Sequence, residues 1–164
     1  MARDIENVDF DPQATAEIAT AVAFEGYTFK DFARITDDEM EAAYSVAFNM
    51  VNQGQFEEAE RLLSWLAGLD QYEPKYLIGV GVCRQQLRLY PGAIDAFAAA
   101  GVLEVDNPIP ALRAAECYLA LGQDEPARSG LLAAVHWSGD KPQHAAVKQR
   151  AAALLDALDR RKEV

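Results

Sequence analysis

The chain has 164 residues, enough for one domain with a continuous core, and 51% hydrophobic with 25% charged residues marks a folded rather than a disordered polypeptide. A net charge of −11 with scattered Lys and Arg excludes a phosphate-neutralising surface, and with it nucleic acid or an anionic membrane as partner. No run of about 18 uncharged apolar residues occurs, and Met1-Ala2-Arg3-Asp4-Ile5-Glu6 lacks the basic-then-apolar pattern of a signal peptide, so no membrane insertion and a cytoplasmic location are expected.

Residues 1–11 are polar, with Asp4, Glu6, Asp9 and Asp11, and are expected to fray. Pro12 suits a helix start, and Ala14, Ile18, Ala21 and Val22 keep helical spacing up to Gly26. Phe24, Tyr27, Phe29, Phe32 and Ile35 then form a dense aromatic stretch. Such a stretch must be buried somewhere. Two readings are open: a cap over the end of the first helical pair, or a homodimer contact through Ile18, Val22, Phe24, Tyr27 and Phe29.

Thr36-Asp37-Asp38-Glu39 is a capping box, with Thr36 at the N-cap, Glu39 three residues on and acids in the first turn. It predicts a helix from about 37 to 53, a turn at Gly54 and a partner helix over 55–69. A second pair starts at Pro74, turns near Arg88-Leu89 and resumes at Tyr90-Pro91. Arg88 stands where the other pairs have Gly54 and Gly122, so this turn is expected to use a different backbone. Asn107-Pro108 caps the third pair, which turns at Gly122 and resumes at Asp124-Glu125-Pro126. A last helix over about 142–160 carries Ala145, Ala146, Ala152, Leu154, Leu155 and Leu158 as one apolar stripe, the pattern of a terminal cap.

These pairs share one period. Ala59, Ala93 and Ala127 are spaced 34 apart, as are Ala47, Gly81 and Ala115, then Leu63, Phe97 and Leu131, then Pro74, Pro108 and Pro142. That interval is the signature of the tetratricopeptide repeat, a helix–turn–helix unit that buries its apolar face only against its neighbours. The expected fold is all-α: a solenoid of three tetratricopeptide repeats (36–141), an N-terminal helical segment (1–35) and a C-terminal capping helix (142–164). Cys83 and Cys117 also lie 34 apart. Helix-packing distances of about 10 Å exceed the Cα separation a disulfide allows, so both read as reduced packing residues. No ligand set for a metal is present, and no cofactor is expected.

The first helix of each repeat carries two faces. Val46, Ala47 and Met50 are assigned to the core opposite Ala59 and Leu63. Tyr44, Phe48 and Val51 share another face, which repeats as Ile78, Val82 and Gln85 and again as Leu112, Glu116 and Leu119. First helices line the concave side of a helical-repeat superhelix. An apolar groove is unfavourable in water unless an extended apolar polypeptide fills it or an adjacent helix covers it. Lys75 and Arg113 near the groove are too few for a clamp on a charged tail, the expectation for a generic adaptor. Catalysis is not expected: His136 and His144 flank a turn without partners, Glu116 has no second catalytic group, and no phosphate loop or nucleophile motif is found.

Three stretches add a more specific likeness: Tyr44-Ser45-Val46-Ala47-Phe48-Asn49 with Gly54; Leu69-Asp70-Gln71-Tyr72 with Tyr76-Leu77-Ile78-Gly79-Val80-Gly81-Val82-Cys83-Arg84-Gln85; and Ala114-Ala115-Glu116-Cys117-Tyr118-Leu119. Over residues 30–137 the chain resembles the class II chaperones of bacterial type III secretion systems, which hold hydrophobic translocator proteins before export. The resemblance implies three tetratricopeptide repeats, an N-terminal segment that mediates dimerisation, and a concave face for a proline- and leucine-containing client segment. The family's aromatic groove positions match Tyr44 and Phe48, while a third is Val51 here, which implies a roomier pocket.

Overall fold

In a computed structural model, residues 12–162 are described; the expectation of a frayed stretch at residues 1–11 lies outside them. The described residues form helices joined by short turns: α1 (Pro12–Phe24), α2 (Phe29–Ala33), α3 (Asp37–Asn52), α4 (Phe56–Leu69), α5 (Pro74–Gln86), α6 (Tyr90–Leu103), α7 (Pro108–Ala120), α8 (Asp124–Ser138), a 3-10 turn (Pro142–His144) and α9 (Ala145–Lys162). From α3 onward each helix packs on the next, and the first helices of successive pairs also touch, α3 on α5, α5 on α7 and α7 on α9. That neighbour-only pattern is a solenoid. Among the described residues no helix is long and apolar enough to cross a membrane.

Local chemistry sets the helix ends. Glu39 N–H donates to Thr36 Oγ1 at 3.3 Å and Thr36 N–H donates to Glu39 Oε2 at 2.9 Å, the reciprocal pairing that satisfies two orphan donors. The Asn107 side chain accepts from Ile109 N–H at 3.0 Å, with Pro108 in the first turn. A second capping box, Thr28 with Asp31, starts the short α2.

The three repeat turns are one structure, which corrects the expectation for Arg88. Gln55 N–H reaches Met50 C=O, Leu89 N–H reaches Arg84 C=O, and Gln123 N–H reaches Tyr118 C=O, at 2.8–2.9 Å. Each is the six-to-one bond of a Schellman motif, whose turning residue is left-handed. Gly54 has φ 78°, Gly122 70° and Arg88 60°. The bonding partners are dictated by the repeat, so arginine adopts the glycine conformation instead of changing the turn. Left-handed backbone is unfavourable for a residue with a Cβ. Arg88→Gly is therefore expected to raise stability by about 0.5–1 kcal/mol, read as a higher urea midpoint at unchanged slope; an unchanged or lower midpoint would contradict it.

The core is a line of small clusters, each joining two or more neighbouring helices. Ala47, Ala59, Leu63, Val80, Cys83 and Ala96 make one; Ala93, Phe97 and Cys117 the next; Ala115, Ala127, Leu131, Ala134, Ala151 and Leu158 the last. The small alanine columns let helices approach, and larger residues fill the gaps between them. Two glycines permit still closer contact. A Cβ on Gly79 would lie 2.9 Å from Leu63 Cδ1, and one on Gly81 would lie 2.5 Å from Phe97 Cε1. Cys83 and Cys117 are free and buried. Burial pushes both thiols up to about 11, so they pack as neutral groups.

Two sequence assignments are corrected here. Val46 is 49% exposed, whereas Val80, its equivalent in the second repeat, is 3% exposed. This column faces the preceding repeat. Val80 meets Ala59 and Leu63 there, and Val46, in the first repeat, has no preceding repeat to meet. On α9 the inward face is Val147, Ala151, Leu154, Leu155 and Leu158, while Ala145, Ala146 and Ala152 are exposed. The stripe follows the contact with α8, one step round the helix from the expected alanines.

Candidate functional site

The groove side of α3 and α5 is open and apolar. Tyr44, Phe48 and Val51 on α3, and Ile78, Gly79 and Val82 on α5, surround a pocket of about 290 Å³ floored by Leu63 of α4, with Lys75 at its mouth. Gly79 builds this floor, because with no Cβ there the Leu63 side chain can rise against the α5 backbone. Phe48 is 54% exposed, a large apolar surface left in water. Its ring lies 6.5 Å from that of Tyr44, which in turn lies 5.7 Å from Tyr76. This chain of tilted rings holds Tyr44 in place as one wall.

Charge enters at the rim only. Lys75 Nζ is 2.6 Å from Glu41 Oε2 and stands 5.0 Å from the Tyr44 ring centre and 5.4 Å from that of Tyr76. The hydrogen bond to Glu41 raises the Lys75 pKa, so the ammonium keeps its charge over the rings. Burial raises the phenols of Tyr44 and Tyr76, so both stay protonated. The pocket itself offers shape and apolar surface, with a cation beside it.

The third repeat differs from the expectation. Leu112 is 7% exposed and belongs to the last core cluster, and Leu119 packs against that cluster. Sequence spacing placed both in the open groove. Helix α9 continues the row of first helices and packs beside this part of the face, so Leu112 is largely buried and shows only at the floor of a cleft between α7 and α9. Glu116 does face the groove, but as an ion-pair hub: Arg113 Nη1 lies 3.3 Å and Arg150 Nε 3.1 Å from its carboxylate. Gln85 Nε2 donates to it at 3.5 Å, and Gln85 Oε1 is buried without a partner. The groove thus has an apolar end formed by Tyr44, Phe48, Val51, Ile78 and Val82 and a polar end around Gln85 and Glu116. Arg150 was missed because it follows the expected repeats; it lies 34 residues after Glu116, and continuing the period one step would have found it.

The N-terminal aromatics stand apart from the groove. Tyr27 and Phe29 are each 49% exposed and Phe32 is 42% exposed; Ile18 and Val22 are half-buried. The expectation for the Phe24 side chain lies outside what is described. The segment is tethered by Tyr72 Oη, which donates to Val22 C=O at 3.3 Å, and by Gln71 Nε2, which donates to Tyr27 C=O at 3.2 Å. Lys30 bridges Asp37 at 2.8 Å and Asp70 at 2.7 Å, which sets α2 beside α4. Ile35 packs on the cluster of Met40, Leu66 and Tyr76, and among the described residues Val46 is left half exposed.

No family model matches the chain. It is 32% identical over 139 residues to the low calcium response locus protein H of Yersinia pseudotuberculosis, covering 85% of this chain and 83% of that protein. Among solved structures, a type III secretion complex from Aeromonas hydrophila matches with a TM-score of 0.85 at 30% identity, covering 94% of this chain and 99% of that one. The type III secretion chaperone SycD of Yersinia enterocolitica, solved with a peptide of the translocator YopD, matches with a TM-score of 0.76 at 33% identity, covering 78% and 98%. A 34-residue helical repeat, an open apolar pocket on its concave side and this degree of identity along most of the chain agree: it belongs to the family of type III secretion translocator chaperones.

Proposed function

We propose that this chain is a cytoplasmic bacterial chaperone that holds an extended apolar segment of a hydrophobic translocator in the groove between α3 and α5, keeping the client soluble until export. The observation that carries this is the open pocket walled by Tyr44, Phe48, Val51, Ile78 and Val82, together with the likeness to a chaperone solved with a translocator peptide. Each Leu- or Val-sized anchor buried there contributes about 1.5–3 kcal/mol, and ordering a flexible segment removes part of the total. Two or three anchors therefore supply about 3–9 kcal/mol gross. Once ordering is subtracted this falls short of the roughly 8 kcal/mol net of micromolar affinity, so tight holding needs a longer stretch of client. The protein acts by holding its client and does no chemistry on it.

The proposed arrangement assigns residues 1–35 to an N-terminal helical segment with a homodimer contact within residues 12–35, residues 36–141 to the repeats and residues 142–164 to the cap. The half-exposed rings of Tyr27, Phe29 and Phe32 favour burial of the N-terminal segment against a second copy. The direct test of the groove is affinity capture from the native bacterium with wild type and with a Phe48→Asp, Ile78→Asp double variant. Wild type is expected to capture a protein with membrane-spanning helices, and the variant to lose it while keeping its helical circular dichroism. Equal capture of the same partner by both would move the site away from the groove and favour a generic adaptor.

A further inference from the structure

The polar end of the groove is a cleft in its own right, distinct from the apolar pocket. Ile109, Leu112, Arg113, Glu116, Val147 and Arg150 line about 410 Å³ between α7 and α9. Its floor is aliphatic and its wall is charged. Two arginines share a single carboxylate: Arg113 and Arg150 both approach Glu116, which is itself only 15% exposed at its side chain, whereas the arginines are 43% and 62% exposed. In a chain of net charge −11, this corner therefore presents an excess positive charge beside apolar surface. Guanidinium groups with unused N–H donors bind carboxylates with directional, paired hydrogen bonds.

We infer that this cleft is a second client subsite, taking an aliphatic side chain with an acidic residue next to it in the same extended segment that fills the apolar pocket. Glu116 holds the two arginines facing the groove, and a client carboxylate completes their coordination. The inference rests on the groove reading proposed above. The geometry sets the client spacing. The two pockets lie two repeats apart, about 20 Å at helix-packing distances of about 10 Å, and an extended chain advances about 3.3 Å per residue. The acidic residue is therefore about six residues from the apolar anchors.

The test uses fluorescein-labelled synthetic peptides with two leucines at one end and Leu-Glu, Leu-Gln or Leu-Lys six residues away, made in both chain directions. Binding to the full chain is read by anisotropy at low and high salt. In one direction, the Glu peptide is expected to bind wild type about tenfold more tightly than the Gln peptide, and the Lys peptide more weakly than either. High salt should erase most of the difference. Arg113→Gln with Arg150→Gln should abolish the Glu preference, and Glu116→Gln, which frees both guanidinium groups, should enlarge it. Phe48→Asp should weaken all three peptides alike. Equal binding of the three to wild type, with loss in Phe48→Asp, overturns the second subsite and leaves the groove reading standing. A Glu preference that survives loss of both arginines also overturns it. Failure of every peptide to bind wild type overturns both readings. The comparison among peptides on wild type stands whether or not an arginine variant folds.

Discussion

Gly81→Ala should destabilise the protein by about 2 kcal/mol, even though alanine is the better helix former by about 1 kcal/mol. The reason is the neighbour. A Cβ at this position lies 2.5, 2.7 and 2.8 Å from three ring carbons of Phe97, closer than any carbon pair tolerates. Phe97 is 1% exposed and packs with Ala93 and Cys117 in a core cluster, so its ring cannot shift without disturbing those contacts. Relief must come from ring and backbone shifts between α5 and α6, and overpacking at the upper end of its usual range costs about 3 kcal/mol, which leaves about 2 kcal/mol after the helix-propensity gain. Urea denaturation of Gly81→Ala, Phe97→Leu and the double variant separates this cause from others. Phe97→Leu alone should destabilise, but in the Gly81→Ala background it should restore part of the loss, giving a coupling of at least about 1 kcal/mol. Additive effects, or a Gly81→Ala protein as stable as wild type, would contradict the close approach.

Phe48→Ala should do the opposite: leave stability unchanged and weaken binding of an apolar client peptide about 10- to 100-fold. The ring is 54% exposed, so little burial is lost on truncation, and surface changes of that sort stay within about 0.5 kcal/mol. A bound leucine would bury much of the ring, which contributes about 1.5–3 kcal/mol to the complex. Leu63→Ala is the informative contrast. Leu63 is 1% exposed and forms both the pocket floor and part of the core, so its truncation should lose about 2–5 kcal/mol of stability as well as affinity. Thermal unfolding and peptide titration of the two variants give the comparison. A Phe48→Ala protein that melts early, or that binds the peptide as wild type does, would remove Phe48 from the groove wall.

The same residues show how much of the site was legible without coordinates. Tyr44, Phe48, Val51, Ile78 and Val82 come together as their spacing implies, because residues three and four apart share a helix face and the 34-residue period stacks those faces in register. Leu112 and Leu119 obey the same spacing, yet they pack into the cluster that α9 shares, and Leu112 is left only 7% exposed at the floor of a cleft. Nothing local distinguishes them from Ile78 and Val82; the difference is that α9 packs beside the third repeat. Arg88 makes a similar point in the turns. Its side chain predicts another backbone, yet the Schellman bonds on either side impose the left-handed one.

What the sequence determined by itself is everything carried by short-range periodicity and local bonding: the helices, their caps at Thr36 and Asn107, the repeat length, the glycines at 79 and 81, and the apolar face that passes through Tyr44 and Phe48. Tertiary structure alone decided which of the repeated faces remain open. Val46 is exposed where Val80 is buried, and Leu112 is 7% exposed at the floor of a cleft beside α9 where Ile78 lines an open pocket. Periodicity assigns a residue to one side of its own helix, whereas its exposure depends on which other helix, from elsewhere in the chain, packs on that side. In a solenoid that neighbour changes at each end, so the repeats are alike in sequence pattern and different in what they offer to a partner.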